Sequence, residues 1–133
     1  MTCLLDTHTF IWTILETTKL STNAKSIITD MNNTIYVSTI SFWELSLKTS
    51  INKFSFGNID IRAFPQYARA MNFSIIDTGE VETITFHELA LKKNHKDPFD
   101  RMLIWQAITK DMLMISKDKS FSQYTEDGLK LMW

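Results

Sequence analysis

The sequence predicts an α/β fold built on a central, mostly parallel sheet of four to five strands. Three observations predict it. Short apolar runs recur as "TCLLD" (2–6), "TIYVS" (34–38), "FSIID" (73–77) and "MLMIS" (112–116). None alternates apolar with polar, as expected of strands buried on both faces. Segments with helical spacing separate the runs, and alternation of strand and helix implies a parallel sheet covered on both sides. Glycine and proline number only 3 and 2, which suits a chain rich in helix.

The elements follow in order. After the first strand, Phe10, Ile11, Ile14 and Leu15 form one apolar stripe of a helix. Ser21 caps a second helix running to about Asn32. Ile40, Trp43, Leu47 and Ile51 form the stripe of a third. Asp60 to Asn72 is a fourth, with Pro65 early in it or bending it. Asp77 followed by Glu80 resembles a capping box for a fifth, carrying Val81, Ile84 and Leu91. Asp97 starts a sixth, apolar nearly all round and so expected to lie within the core. The tail "GLKLMW" reads as a final edge strand.

A length of 133 residues suits a single domain spanning 1–133. The net charge of -1 gives no global signature of a nucleic-acid binder, although a local patch can still steer a polyanion. The one cysteine, Cys3, has no internal partner, and a cytoplasmic protein is expected. No apolar stretch is long enough to span a membrane, and the N-terminus lacks the pattern of a signal peptide.

In open α/β sheets, sites form beyond the carboxyl ends of the strands. That rule selects acids. Asp6 ends the first strand, and Asp118 follows "MLMIS" by two residues. Glu44 lies in the helix leaving "TIYVS", roughly 9 Å along at 1.5 Å per residue. Asp100 lies in the first turn of the helix leading into "MLMIS". Each also has a structural reading. Asp6 can cap the next helix, Glu44 can pair with Lys48, and Asp118 can begin a turn. In "HKDPFDRMLIW", Asp97 suits an N-cap, Pro98 the first helical position, and Asp100 the positive end of the helix dipole. If the four acids converge, their mutual repulsion calls for a hard divalent cation, Mg²⁺ or Mn²⁺. Such an ion polarises a phosphoryl oxygen and activates water, so the expected chemistry is hydrolysis of a phosphodiester. Lys92, Lys93, Lys96 and Arg101, with Lys48, Lys117 and Lys119, would form a basic rim for a nucleic-acid backbone, or simply a solvated charged face.

The stretches "LLDTHTFIW", "VSTISFWELSLK", "HKDPFDRMLIWQA" and "MISKDKSFSQY", in this order, resemble the PIN-domain ribonucleases, specifically the VapC-like toxins of toxin–antitoxin pairs. The resemblance implies an αβα sandwich with Asp6, Glu44, Asp100 and Asp118 as the acidic metal site. Thr7 and Ser116 stand where small hydroxyl residues support the metal shell. Asp97 is expected mainly as the helix cap, and Arg101 as a contact to phosphate or to a neighbouring acid. The resemblance further implies Mg²⁺ or Mn²⁺, a homodimer, an RNA substrate such as transfer or ribosomal RNA, and a cognate antitoxin whose peptide fills the active-site groove. Met71, Phe54, Phe56, Phe64 and Tyr67 are candidates to line that groove, although ordinary core packing is the first reading for most of them. His8 and His95, beside Asp6 and Asp97, read as surface residues, with a ligand or base as the alternative, and His87 as structural.

Other chemistries fit less well. A haloacid-dehalogenase-type phosphotransferase needs a second acid two residues after Asp6, where His8 stands. A receiver domain needs an acid at the end of a central strand, and "TIYVSTI" has none. A non-enzymatic binding module on the same fold remains as the alternative, separable by partner binding that survives loss of metal.

Overall fold

The computed structural model describes residues 1–133 and contains one five-stranded sheet with every pairing parallel. The strands are β1 (Thr2–Leu5), β2 (Thr34–Ser38), β3 (Ser74–Ile76), β4 (Leu113–Ile115) and β5 (Lys130–Met132). Their order is β3-β2-β1-β4-β5. The chain therefore steps outward from β1 on one side, then returns to lay β4 on the other. β1 is the switch point, and a crevice opens beyond the carboxyl ends there. In register, Leu5 faces Val37 on one side and Ile115 on the other, so β1, β2 and β4 end level.

Six α-helices connect the strands: α1 (Thr7–Leu15), α2 (Thr22–Thr29), α3 (Thr39–Ser50), α4 (Phe64–Ala70), α5 (Glu80–Thr85) and α6 (Pro98–Thr109). None is long and apolar enough to cross a membrane. Side chains of β1 alternate between two cores, as a pleated strand requires. Cys3 and Leu5 enter one with Phe10, Ile11, Ala24, Phe64 and Ala68. Leu4 enters the other with Leu103, Ile104, Ala107, Phe121 and Tyr124. The result is helices on both faces of a sheet that neither face exposes.

Capping follows the sequence closely. Asp6, Ser21, Ser38 and Asp97 each accept backbone N–H bonds at the start of α1, α2, α3 and α6. Pro65 sits in the first turn of α4, and the expected helix 60–72 divides there into a 3₁₀ turn (Ile61–Ala63) and α4. The tail forms β5 as expected. A 3₁₀ stretch, Lys119–Asp127, precedes it and ends at Gly128, whose φ of 104° few other residues adopt.

Two expected apolar stripes face largely outward instead, with only Ile40 of the α3 stripe buried. On α3, Trp43 is 59% exposed and Ile51 51%, because Ser41, Glu44 and Leu45 take the inward positions. On α5 no capping box forms. Gly79 is the N-cap without a side-chain bond, and the inward position belongs to Glu82, paired with Lys110 at 2.8 Å. Val81 and Ile84 consequently lie in solvent. Because α5 ends at Thr85 and a 3₁₀ turn (Phe86–Glu88) follows, the expected helix never reaches Leu91, which is exposed in the next loop, as His87 is in the turn. In each case a buried acid displaced the apolar residues that periodicity had assigned inward.

A buried amide locks the two halves together. Gln106 of α6 accepts from Ser38 Oγ at 2.6 Å and donates toward the carbonyl of Asp77 at 3.4 Å. Ser38 is the cap of α3, so this bond fixes the helix that carries Glu44. Replacing Gln106 by Leu leaves buried polar partners unmatched and is expected to cost about 1–3 kcal/mol in urea denaturation. An unchanged midpoint would show that the amide is dispensable.

Candidate metal centre

The switch-point crevice is an open cleft of about 260 Å³, lined by Asp6, Thr7, His8, Trp12, Glu44, Lys48, Asp97, Asp100, Lys117 and Asp118. Five carboxylates thus share one cleft, all brought there by the ends of β1 and β4 and the starts of α3 and α6.

Each acid is placed by local chemistry. Asp6 is buried at the end of β1, with one oxygen accepting the Thr9 N–H at 2.7 Å and the other bonded by Ser116 Oγ. Ser116, at the end of β4, also accepts the Asp118 N–H at 3.1 Å, so one hydroxyl registers two acids. Asp118 caps the 3₁₀ stretch through Ser120. Thr7 donates to Ser41 Oγ at 2.9 Å and ties α1 to α3. Asp97 caps α6 through the amides of Phe99 and Asp100, and also reaches the cleft wall. Arg101 does not enter the cleft. It is buried, donates to the carbonyls of Leu89 and Ala90, and lies 5.0 Å from the Phe86 ring. Neither reading of Arg101 from sequence, phosphate contact or acid pairing, matches this position.

Glu44 is 2% exposed, which is a severe burial for a carboxylate. Lys48, one turn on, bonds its Oε2. Its Oε1 has no partner at all. Ligand atoms of Glu44, Asp97 and Asp100 lie within 4.8 Å of one another, as do those of His95, Asp100 and Asp118. Asp100 belongs to both sets, while Asp6 faces the cleft with its oxygens already engaged. An orphaned buried carboxylate oxygen among hard oxygen donors fits a divalent cation such as Mg²⁺ or Mn²⁺.

His95 is the residue that sequence reasoning misplaced. It is 7% exposed rather than at the surface. Its Nδ1 lies 2.8 Å from the Tyr124 hydroxyl and its Nε2 3.3 Å from Asp100 Oδ2. Burial lowers its pKa against the pull of Asp118 and Asp97, which favours a neutral ring. Such a ring accepts from Tyr124 and donates to Asp100. The signal was its place five residues before Asp100, which a capping loop folds back. The basic rim is also narrower than expected. Lys92 is tied to Glu126 and Asp127, leaving Lys48 and Lys117 as the lysines of the cleft.

The PIN domain family model matches residues 3–127. The chain belongs to the PIN domain family. PIN nucleases use a divalent metal, in keeping with the donor set above. No curated protein sequence matches. Among solved structures, VapBC2 from Rickettsia felis, bound to a DNA fragment from its promoter, matches with a TM-score of 0.70 at 20% identity, covering 99% of this chain and 98% of that one. DNA-bound VapBC from Salmonella typhimurium matches at 0.68 and 17%, covering 99% and 97%. VapBC-5 from Mycobacterium tuberculosis, of the VapBC family of toxin–antitoxin systems, matches at 0.60 and 12%, covering 98% and 95%. At these identities the likeness establishes the fold, an αβα PIN architecture.

The acid cluster has a thermodynamic signature. Burial, then the charges of Asp97, Glu44, Asp6 and Asp118, push the Asp100 pKa up to about 8. Burial also raises Asp6, despite its hydrogen bonds from Ser116 and Thr9. A carboxyl whose pKa is raised by folding holds its proton more tightly in the native state. Its stabilisation is complete below its unfolded pKa, about 4, and is lost as pH rises toward 8. Without metal, the contribution of Asp100 and Asp6 to stability is therefore expected to fall between about pH 4 and 8. Asp100→Asn should melt higher than wild type at pH 8, with the gap closing toward pH 4. Melting curves in EDTA test this, and a constant gap across that range would contradict it.

Proposed function

We propose that this chain is a metal-dependent endoribonuclease acting as the toxin of a toxin–antitoxin pair. The observation that carries the proposal is the convergence of Asp6, Glu44, Asp97, Asp100 and Asp118 on one cleft, with Glu44 Oε1 buried and unpartnered. Membership of the PIN domain family and the likeness to VapBC structures support it.

Asp6, Glu44, Asp100 and Asp118 would hold Mg²⁺ or Mn²⁺, with Asp97 close to Glu44 and Asp100, and His95 close to Asp100 and Asp118. A divalent ion there supplies Lewis-acid polarisation of a phosphoryl oxygen and lowers the pKa of water. The protein's part is positional. Ser116 sets the angle between Asp6 and Asp118, and His95 holds one Asp100 oxygen, leaving the other free. Thr7 keeps α1 and α3 in register. Lys48 neutralises Glu44 while the cleft is empty of substrate, and its ammonium and that of Lys117 face an incoming phosphate. Hydrolysis assisted in this way leaves 5′-phosphate and 3′-hydroxyl ends.

The substrate would be an unpaired segment of a structured RNA, transfer or ribosomal RNA, since splayed bases are what selective RNA readers engage. The partner would be a cognate antitoxin whose peptide fills the cleft. Phe64 is core and so is not part of that groove, whereas Tyr67 and Met71 stand exposed. The outward stripe of Trp43, Leu47 and Ile51 on α3 suits a second copy in a homodimer.

Induced expression of wild type and Asp100→Asn in bacteria tests the reading. Wild type should arrest growth and create discrete RNA 5′ ends, and Asp100→Asn, which keeps the helix start, should not. In vitro the substitution should reduce cleavage by on the order of 10²–10³-fold, the scale on which preorganised electrostatic groups act. Excess EDTA should abolish cleavage. Equal arrest by both proteins, or cleavage in EDTA, would overturn the proposal.

A further inference from the structure

Trp12 is the one hydrophobic residue in a cleft otherwise lined by acids, lysines, Thr7 and His8. Its position is built. Trp12 and His8 are four apart on α1 and so share a face. Their rings lie 5.9 Å apart, tilted at 53°. Phe54 supports His8 edge-on at 5.8 Å, and Trp133 supports Trp12 edge-on at 5.8 Å. His8 is exposed and Trp12 half-buried, so the pair presents aromatic surface to solvent directly beside Asp6. Two cations attend it. Lys117 Nζ lies 5.8 Å and Lys19 Nζ 5.7 Å from the Trp12 ring centroid.

Resting on the ribonuclease reading, we propose that His8 and Trp12 form a subsite for one unpaired nucleobase of single-stranded RNA, with Lys117 taking the adjoining phosphate. The acids alone repel a polyanion, so substrate must be held from the side. Aromatic faces do this for any base, and lysines do it for the backbone. Lys117 is exposed and sits on a flexible stem between the ring and Asp118. Its ammonium can leave the indole for a phosphate as a base takes its place. Aromatic faces beside lysine ammoniums match a base next to its phosphate.

The probe is a labelled unstructured 12-nucleotide RNA, compared with a fully abasic ribose-phosphate oligomer of the same length. Both are titrated by fluorescence anisotropy with the full chain in Ca²⁺. Wild type should bind the RNA on the order of 10-fold tighter than the abasic oligomer, the scale of one stacked base. Trp12→Leu, which keeps apolar bulk, should lose that preference while binding the abasic oligomer as wild type does. His8→Ala, at an exposed position where folding is not at risk, should lose part of it. Lys117→Ala should weaken both ligands alike. An undiminished preference in Trp12→Leu and His8→Ala would overturn the subsite, as would loss of binding only to an antitoxin peptide. Unchanged cleavage by these variants would then leave the nuclease reading standing. Wild type that neither binds nor cleaves RNA would remove both.

Discussion

Mutual repulsion among five carboxylates in one partly dry cleft is the constraint on which the rest of this structure depends. Charges of one sign at such spacing are tolerable only if protonated, paired with cations or turned away from one another. All three solutions are present. Asp100 is driven toward its protonated form, with a pKa near 8. Lys48 bonds Glu44, and although burial works to lower its pKa, Glu44, Asp97 and Asp100 hold it above the ordinary value. The oxygens of Asp6 are taken up by Ser116 and the Thr9 amide, and Asp118 Oδ1 is engaged by Ser120, so these carboxylates are turned onto donors rather than onto one another.

The scaffold around the acids is correspondingly polar inside. Thr7, Ser38, Ser41, Gln106, Ser116 and His95 are all buried, and most bond across elements rather than within them. Such bonds contribute little net stability but make wrong arrangements costly, because breaking one strands a buried polar group. That is a means of fixing geometry. Gln106 to Ser38 sets α3 against α6, and Thr7 to Ser41 sets α1 against α3. These are the helices that carry Glu44, Asp100 and Asp6, so the polar network and the site share one skeleton.

Much of this was legible in sequence because the relevant signals are local or follow a topological rule. The four apolar runs appear as strands, and Asp6, Ser21 and Asp97 appear as caps, because strand burial and capping depend on a few adjacent residues. The strand-end rule gathered Asp6, Glu44, Asp100 and Asp118 into one cleft from chain positions over a hundred residues apart. What failed required knowledge of what lies across the fold. Trp43, Leu47 and Ile51 have perfect helical spacing, yet Glu44 needs the inward side. Val81 and Ile84 lose theirs to the Glu82–Lys110 pair, and Leu91 falls outside the helix, which ends at Thr85. His95 looked like a loop histidine because its partners, Tyr124 and Asp100, come from separate segments. Arg101 looked functional beside Asp100, but the helix turns it a hundred degrees away into backbone carbonyls.

The same logic explains why a functional cleft of this kind sits where no residue is well satisfied by the protein alone. Glu44 Oε1 lacks any partner, and Asp100 gains hydrogen-bonding capacity only by keeping a proton that its ordinary chemistry would release. Each defect is a destabilisation of the folded chain without ligand. Each is also removed by a single event, arrival of a hard cation, which gives the orphan oxygen a partner and displaces the proton. Relief of these unfavourable terms therefore contributes to the affinity for metal. A variant that relieves the repulsion, as Asn does at position 100, gains stability by giving up the driving force for binding. At position 100, stability and metal affinity are accordingly expected to move in opposite directions, whichever RNA the cleft receives.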